Sequence, residues 1–390
     1  MRVLHLIHAF NRGGVEKWLL DILPEMPRDL CEIDFCCKGA DLGPWAPIAR
    51  ERGARIHHCP LTLSHVGFLI GFRRILHENA YDLVHNHLGM YAGPPVWVAN
   101  RAGVPIITTF HNTHFPPQLA MFSIAALSWL RDVYGRFSIS YALDRSDHLT
   151  VISRGIMDEV IPDRSELRAK SSVCYYGLRI PSPAGIEAKT LFRQSLGWPG
   201  DVPLVIHVGR FYDQKNHFGL LEVFQLVLRE LPRAKLVMLG VGPLLEPVKA
   251  YVSEHGLGES VRILDPTDDA ASVIANADVL LFPSRFEGFG LVALEANAVE
   301  VPVVGSDVVG LNEAVENGET ACLWSVDDTS GMAASVIRIL SDPAYARQLG
   351  KAGRARAERL FSAKASAERL LDLYRTVLSK SAEKKRKGTC

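Results

Sequence analysis

No apolar run in this chain reaches the roughly 18–20 residues needed to cross a bilayer. Met1-Arg2 leads straight into the short apolar stretch Val3–Ile7, without the apolar region or cleavage site of a secretion signal. A cysteine framework is missing as well. Cys31, Cys36, Cys37, Cys59, Cys174, Cys322 and Cys390 are odd in number, scattered and without a C-x-x-C pair, which suggests neither a disulfide scaffold nor a zinc ribbon. Charge of one sign is absent too: 43 Lys and Arg face 43 Asp and Glu, so no net field draws the protein to nucleic acid. The one charged run is Lys384-Lys385-Arg386-Lys387, read as a solvated tail or a weak peripheral contact with an anionic membrane face. These absences lead to the expectation of a soluble, cytoplasmic protein without nucleic-acid partners. No two aspartates stand two residues apart, so the Asp-x-Asp pair that holds a divalent ion on a sugar diphosphate is missing, and no metal is expected. The dinucleotide fingerprint G-x-G-x-x-G is also lacking: Gly240-Val241-Gly242 follows a strand pattern, but position 245 is Leu.

What is present is a long, ordinary globular composition. With 390 residues, 48% hydrophobic and 22% charged, the chain suits two domains of about 150–200 residues each. Short β-type runs alternate with helical patterns from end to end, the habit of parallel sheets covered by helices. The first series is Val3–His8, Glu32–Cys36, Arg55–His58, Asp82–His87, Pro105–Phe110, His148–Ile152 and Ser172–Tyr175. A Pro/Gly break at Ile180-Pro181-Ser182-Pro183 reads as a linker over 181–200. The second series is Leu204–Gly209, Lys235–Leu239, Val261–Leu264, Val279–Pro283, Val301–Val304 and Thr320–Leu323. Helices are expected at 216–231, 243–255, 290–299 and 328–341, and a last one near Ala363–Leu378 could cap either domain. The boundaries read as 1–180, 201–362, a helix over 363–380 and a basic tail over 381–390. Open sheets of this kind bind ligands at the carboxyl ends of their strands, and two facing domains make the cleft between them the natural site.

Three loops at those strand ends carry chemistry. Asn11-Arg12-Gly13-Gly14 stands between the first strand and a helix, where it is either a tight turn or a phosphate loop with helix N–H groups behind it. Gly209-Arg210-Phe211-Tyr212-Asp213-Gln214-Lys215-Asn216-His217 places a planar cation and a point charge five residues apart. They are either two solvated cations or a pair reaching one anionic group, and the strand-end position favours phosphate. In Glu287-Gly288-Phe289-Gly290-Leu291-Val292-Ala293-Leu294-Glu295, one carboxylate falls in a flexed loop and the other lies on the following helix. Each can grip a separate hydroxyl pair of a sugar, while amides of Phe289, Gly290 and Leu291 at the helix N-terminus remain for phosphate. His85-x-His87 and His111-x-x-His114 lack a carboxylate or cysteine cluster, and they read as packed or loop histidines rather than a zinc site. His111 differs in sitting just past a strand, at the carboxyl edge. Residues Pro117–Asp144 form an aromatic-rich helical excursion, read as core packing with an acceptor- or lipid-facing surface as the alternative.

Taken together, these motifs resemble family 4 of the retaining glycosyltransferases over nearly the whole chain, and most closely the branch that builds capsular and exopolysaccharides. The resemblance implies an α/β GT-B fold of two Rossmann-like domains with parallel sheets facing across a cleft, and a C-terminal helix crossing back to the first, acceptor-side domain. It implies that Arg210 and Lys215, with Gly209 beside them, bind the donor diphosphate. Glu287 then holds hydroxyls of the transferred sugar, Glu295 the ribose, and Gly13 and Gly14 admit the phosphates. His111 lies near the 6-position of the sugar, and the base rests near Leu264 to Thr267. The nucleotide sugar is a co-substrate and no cofactor is implied. The acceptor is a saccharide or a lipid-linked saccharide. Two departures stand out: the linker has Tyr176-Gly177 where the family has Asn-Gly, so that position is assigned no role, and His111-Asn112 stands where His-Asp is common. The rival readings are a nucleotide-sugar 2-epimerase of the same architecture and a non-catalytic nucleotide-sugar-binding protein.

Overall fold

The structure, a computed structural model, describes residues 1–61, 65–112 and 125–387. It divides into two compact units, Met1–Leu178 with Ala363–Cys390, and Arg179–Ser362.

The first unit is built on a seven-stranded sheet. Its strands are β1 (Arg2–Ile7), β2 (Glu32–Cys37), β3 (Ile56–His58), β4 (Leu83–Asn86), β5 (Ile106–Phe110), β6 (His148–Val151) and β7 (Ser171–Val173). They are ordered β3-β2-β1-β4-β5-β6-β7, and every pair is parallel. β4, β5 and β6 are buried along their whole length, and β1 and β2 at all but the first residue. That is why their sequences read as apolar runs rather than alternating ones: helices cover both faces of a parallel sheet. One layer is anchored by Phe68, Phe72 and Leu76 of the helix His65–Asn79 and by Val96, Val98 and Ala99 of the helix Gly93–Ala102. The helix Gly14–Ile22 buries Trp18, whose indole N–H donates to Ser366 Oγ at 2.9 Å and ties it to the last helix of the chain.

The second unit carries β8 (Leu204–Val208), β9 (Lys235–Leu239), β10 (Val261–Leu264), β11 (Val279–Phe282), β12 (Val303–Ser306) and β13 (Ala321–Trp324). Their order is β10-β9-β8-β11-β12-β13, again all parallel. Both units are therefore doubly wound, with the reversal of strand order at β1/β4 in one and at β8/β11 in the other.

Three features differ from expectation. The 181–200 stretch is not a bare linker: it holds the helix Ile186–Ser195. Buried Arg193 pins that helix into the second unit, donating to the carbonyls of Val202, Lys189 and Asn276 and to Asp278 Oδ2 at 2.7–2.9 Å. The helix Pro343–Phe361 was not foreseen, because its packed face is Leu349, Gly350, Gly353, Ala357 and Phe361, too poor in large apolar residues to show a clear period. The basic run, read as a solvated tail over 381–390, is exposed, but it forms the last turn of the helix Ala363–Lys387 rather than a separate segment. Its cations lie where the helix dipole favours them, and Lys385 Nζ donates to the Gly103 carbonyl at 3.0 Å. Among the described residues no helix is long and apolar enough to cross a membrane. His114 and the start of the 117–144 excursion lie outside the described residues. Its later part is the helix Ala125–Arg145, with Trp129, Val133 and Phe137 exposed.

Candidate functional site

In the second unit β8 and β11 are neighbours, and the chains leaving them run in opposite directions along the sheet. The loop after β8 makes a short 3-10 turn, Asp213–Lys215, then places Asn216 in the left-handed region (φ 52°) to start the helix His217–Glu230. The loop after β11 ends in Gly290 (φ 76°), which caps the helix Leu291–Ala298 without any side-chain bond. A left-handed residue is needed there and glycine adopts it at no steric cost. The two loops are stitched together: Arg285 N donates to Gln214 O at 2.8 Å, and Gln214 Nε2 donates to Phe286 O at 3.0 Å.

This stitching brings Lys215 Nζ to Glu287 Oε1 at 2.5 Å, with side chains only 12% and 8% exposed. The ammonium also lies 4.5 Å from the centre of the Phe282 ring. Lys215 runs over Gly209, where a Cβ would come 3.1 Å from its Cγ. The structure thus joins Lys215, Gly209 and Glu287. It does not join Arg210 to them in one ion pair. That residue is exposed, its guanidinium 5.2 Å over the Tyr212 ring, and it makes no ion pair among the described residues. Glu287, expected to be held for sugar hydroxyls, is paired to Lys215. A lysine has three N–H donors, so Lys215 can keep this carboxylate and still meet an anion. Glu295 is buried in the helix Leu291–Ala298, and Phe289 is buried with its ring against Phe361 at 5.5 Å. Leu291 opens that helix, where the first amides lack intrahelical partners. The Leu264 carbonyl is committed to Gly240 N at 3.1 Å, and Thr267 is exposed, accepting from Asp269 N at 3.3 Å. Ser284 Oγ and Ser306 Oγ, beside the carboxyl ends of β11 and β12, are buried without a hydrogen-bond partner among the described residues. No motif pointed to either serine.

In the first unit Gly13 caps the helix that begins at Gly14, again without a side-chain bond. The Glu16 carboxylate folds back over Gly13. The histidines here form one connected group. His5 of β1 and His85 of β4 are register partners, His87 follows β4, and His111 follows β5. Burial pushes His5 and His111 down to about 3 and holds His85 and His87 well below the usual histidine range, so all four are neutral near pH 7. His111 bonds Tyr176 Oη through Nδ1 at 2.7 Å and His87 Nδ1 through Nε2 at 2.9 Å. Tyr176, assigned no role from its place in the linker, is therefore a direct partner of His111. One ligand atom from each of His5, His85 and His87 can be chosen within 4.8 Å of the others. Their six ring nitrogens are all already hydrogen-bonded, to one another or to Tyr374, Thr109 and His111.

Two doubly wound units, with charged loops at the switch point of the second, are the architecture of the GT-B class. Residues 188–356 match the model of the glycosyl transferases group 1, and residues 13–170 that of the glycosyl transferase 4-like domain. A D-inositol 3-phosphate glycosyltransferase of Saccharomonospora viridis is 30% identical over 95% of this chain and 90% of its own. An N-acetyl-alpha-D-glucosaminyl L-malate synthase of Bacillus anthracis is 25% identical over 76% of this chain and 74% of its own. The crystal structure of Anabaena HepE in complex with UDP and glucose superposes with a TM-score of 0.80 at 19% identity, covering 96% of this chain and 99% of that one. The chain belongs to the family 4 glycosyltransferases of GT-B fold.

Proposed function

We propose that the protein is a retaining, metal-independent glycosyltransferase. It moves a hexose or N-acetylhexosamine from a UDP-linked donor to a saccharide or lipid-linked saccharide acceptor, with an α linkage. The observation that carries this reading is the Lys215–Glu287 pair at the β8/β11 switch point, inside the segment that matches the group 1 model. Breaking the anomeric C–O bond builds positive charge on the sugar and negative charge on the leaving phosphate. Fixed cations at the phosphate are then the largest single lever on the barrier. Lys215 supplies one such cation, preorganised by Glu287, and exposed Arg210 swings from Tyr212 to supply the second. Glu287 then serves twice, orienting Lys215 and accepting from hydroxyls of the transferred sugar. Glu295 takes the ribose, Gly290 and Leu291 offer amides to the phosphates, and the base rests by Leu264 to Thr267. The uridine base and the sugar class are supported by the names of HepE's ligands and of the malate-linked relative. The acceptor class is supported by the branch the motifs resemble, and peripheral contact with an anionic membrane face would suit a lipid-linked acceptor.

The test is to supply UDP-glucose and UDP-N-acetylglucosamine with a panel of saccharide acceptors and examine the product by proton NMR. An α-anomeric product from an α-linked donor is the expected result. A β-linked product, or an epimerised nucleotide sugar formed without acceptor, would overturn the assignment.

A further inference from the structure

In the first unit a hydrogen-bonded chain runs through His111. Tyr176 Oη meets His111 Nδ1 at 2.7 Å, and His111 Nε2 meets His87 Nδ1 at 2.9 Å. His87 Nε2 meets His5 Nδ1 at 3.0 Å, and His5 Nε2 meets Tyr374 Oη at 3.0 Å. The Tyr374 hydroxyl continues to His85 Nδ1 at 2.8 Å, and His85 Nε2 to Thr109 Oγ1 at 2.6 Å. Trp18 walls the chain on one side, its indole 5.1 Å from the Tyr176 ring and 6.0 and 6.4 Å from His87 and His111.

A neutral imidazole carries one proton, on one nitrogen or the other. In His111, His87 and His5 both nitrogens are used, and each histidine–histidine bond needs one proton. Only two arrangements satisfy this. If His87 donates to His5, then His111 must donate to His87, Tyr176 to His111, and His5 to Tyr374, so all three rings are protonated at Nε2. If His87 donates to His111, every bond reverses and all three are protonated at Nδ1. Any mixed set leaves at least one histidine–histidine bond with two protons or with none.

We propose that Tyr176, His111, His87, His5 and Tyr374 form a two-state, proton-ordered relay in which His87, His5 and Tyr374 are positioning residues that set the tautomer and ring orientation of His111. Its link to catalysis rests on the role that the family resemblance gives His111, close to the transferred sugar. There a neutral, fixed ring matters, since an imidazolium would repel the positive charge developing on the sugar. Titratable groups among the described residues act on the chain from several elements. Glu16 acts on Tyr176, Cys174 on Tyr176 and Tyr374, Cys31 on Tyr374, and His148 on His85. Burial is the largest influence on all of them and keeps the imidazoles uncharged.

Two variants pull the relay in opposite directions. A buried acceptor left without a partner is tolerated better than a buried N–H donor. Tyr374→Phe, which strips His5 Nε2 of its partner, should therefore settle all three rings as Nδ1–H. Tyr176→Phe, which strips His111 Nδ1, should settle all three as Nε2–H. The measurement is long-range proton–nitrogen correlation on the full chain labelled with 15N-histidine, between pH 5.5 and 8, with melting curves to show that each variant is folded. His111 changing tautomer in response to Tyr374, three hydrogen bonds away, is the expected result. Mixed tautomers within one sample, the same tautomer in both variants, or His111 charging within that range would overturn the relay.

The positioning role has its own readout, hydrolysis of UDP-glucose and UDP-N-acetylglucosamine with water as acceptor. Tyr374→Phe should lower kcat about tenfold, the scale of losing one hydrogen bond, with little change in KM. Unchanged kcat in a variant whose tautomers have switched would overturn that role. A wild-type protein that transfers no sugar would overturn the functional reading and leave the NMR result standing.

Discussion

Removing Lys215 puts both the geometry and the function to the test. Its partner Glu287 is 8% exposed and the two are 2.5 Å apart, so Lys215→Ala leaves a nearly buried carboxylate without its counter-charge. Breaking one side of a buried pair costs about 3–5 kcal/mol. In a unit the size of Arg179–Ser362, each kcal/mol lowers the melting temperature by about 2–4 °C. The ligand-free variant should therefore melt about 6–20 °C lower. Replacing both partners with apolar residues of similar volume, Lys215→Met with Glu287→Leu, removes the stranded charge. Such exchanges are often neutral or stabilising, so the double variant should recover most of the loss. Activity should not follow stability. Lys215→Ala and the double variant should both lose about 100- to 1000-fold in kcat, the scale of deleting one preorganised donor to a developing anion. Thermal unfolding followed by circular dichroism, with initial rates of donor turnover on the same preparations, separates the two effects. Recovery of turnover in the double variant would show that the pair only holds the loops together. A single variant with an unchanged melting temperature would show that Glu287 is not buried as drawn.

Two further outcomes are expected. Transfer measured in excess chelator should equal transfer in magnesium, since cationic side chains are assigned the diphosphate charge; a loss restored by a divalent ion would refute this. Acid should destabilise the first unit steeply. His5 and His111 titrate near 3 when folded but near 6.5 when unfolded, so their stabilisation is complete above the unfolded value and lost as pH falls below it. At pH 5.5 this difference costs about 1.4 kcal/mol for each of His5 and His111, about 3 kcal/mol for the two, and His85 and His87 are shifted in the same direction. Urea unfolding at pH 7.5 and 5.5 measures this, and equal midpoints for the first unit would refute the buried, neutral assignment.

Much of the fold was legible from residues alone. All thirteen strands lie within a residue or two of the β-type runs read from the sequence, most clearly the central ones, which are buried on both faces, whereas β3 and β7 at the sheet edges are only partly buried. The charged loops were legible for a related reason: a doubly wound sheet opens at its carboxyl edge, and glycines with Arg, Lys or Glu just past a strand mark a loop at that edge. The helices Ile186–Ser195 and Pro343–Phe361 escaped notice because a buried arginine and a stripe of small residues replace the apolar face that a period search detects.

The pairing of the functional side chains belonged to the tertiary structure. Lys215 and Glu287 are 72 residues apart and meet only because β8 and β11 are adjacent in the sheet, a fact of strand order that local sequence does not encode. Arg210, five residues from Lys215, lies exposed over Tyr212, an orientation that local sequence does not specify. His85, His87 and His111 gave no sign of being joined to one another, to His5 or to Tyr374 at the far end of the chain. Periodicity marks which residues are buried, whereas hydrogen bonds depend on which buried residues face one another. That is decided when the sheet assembles and the final helix docks on it.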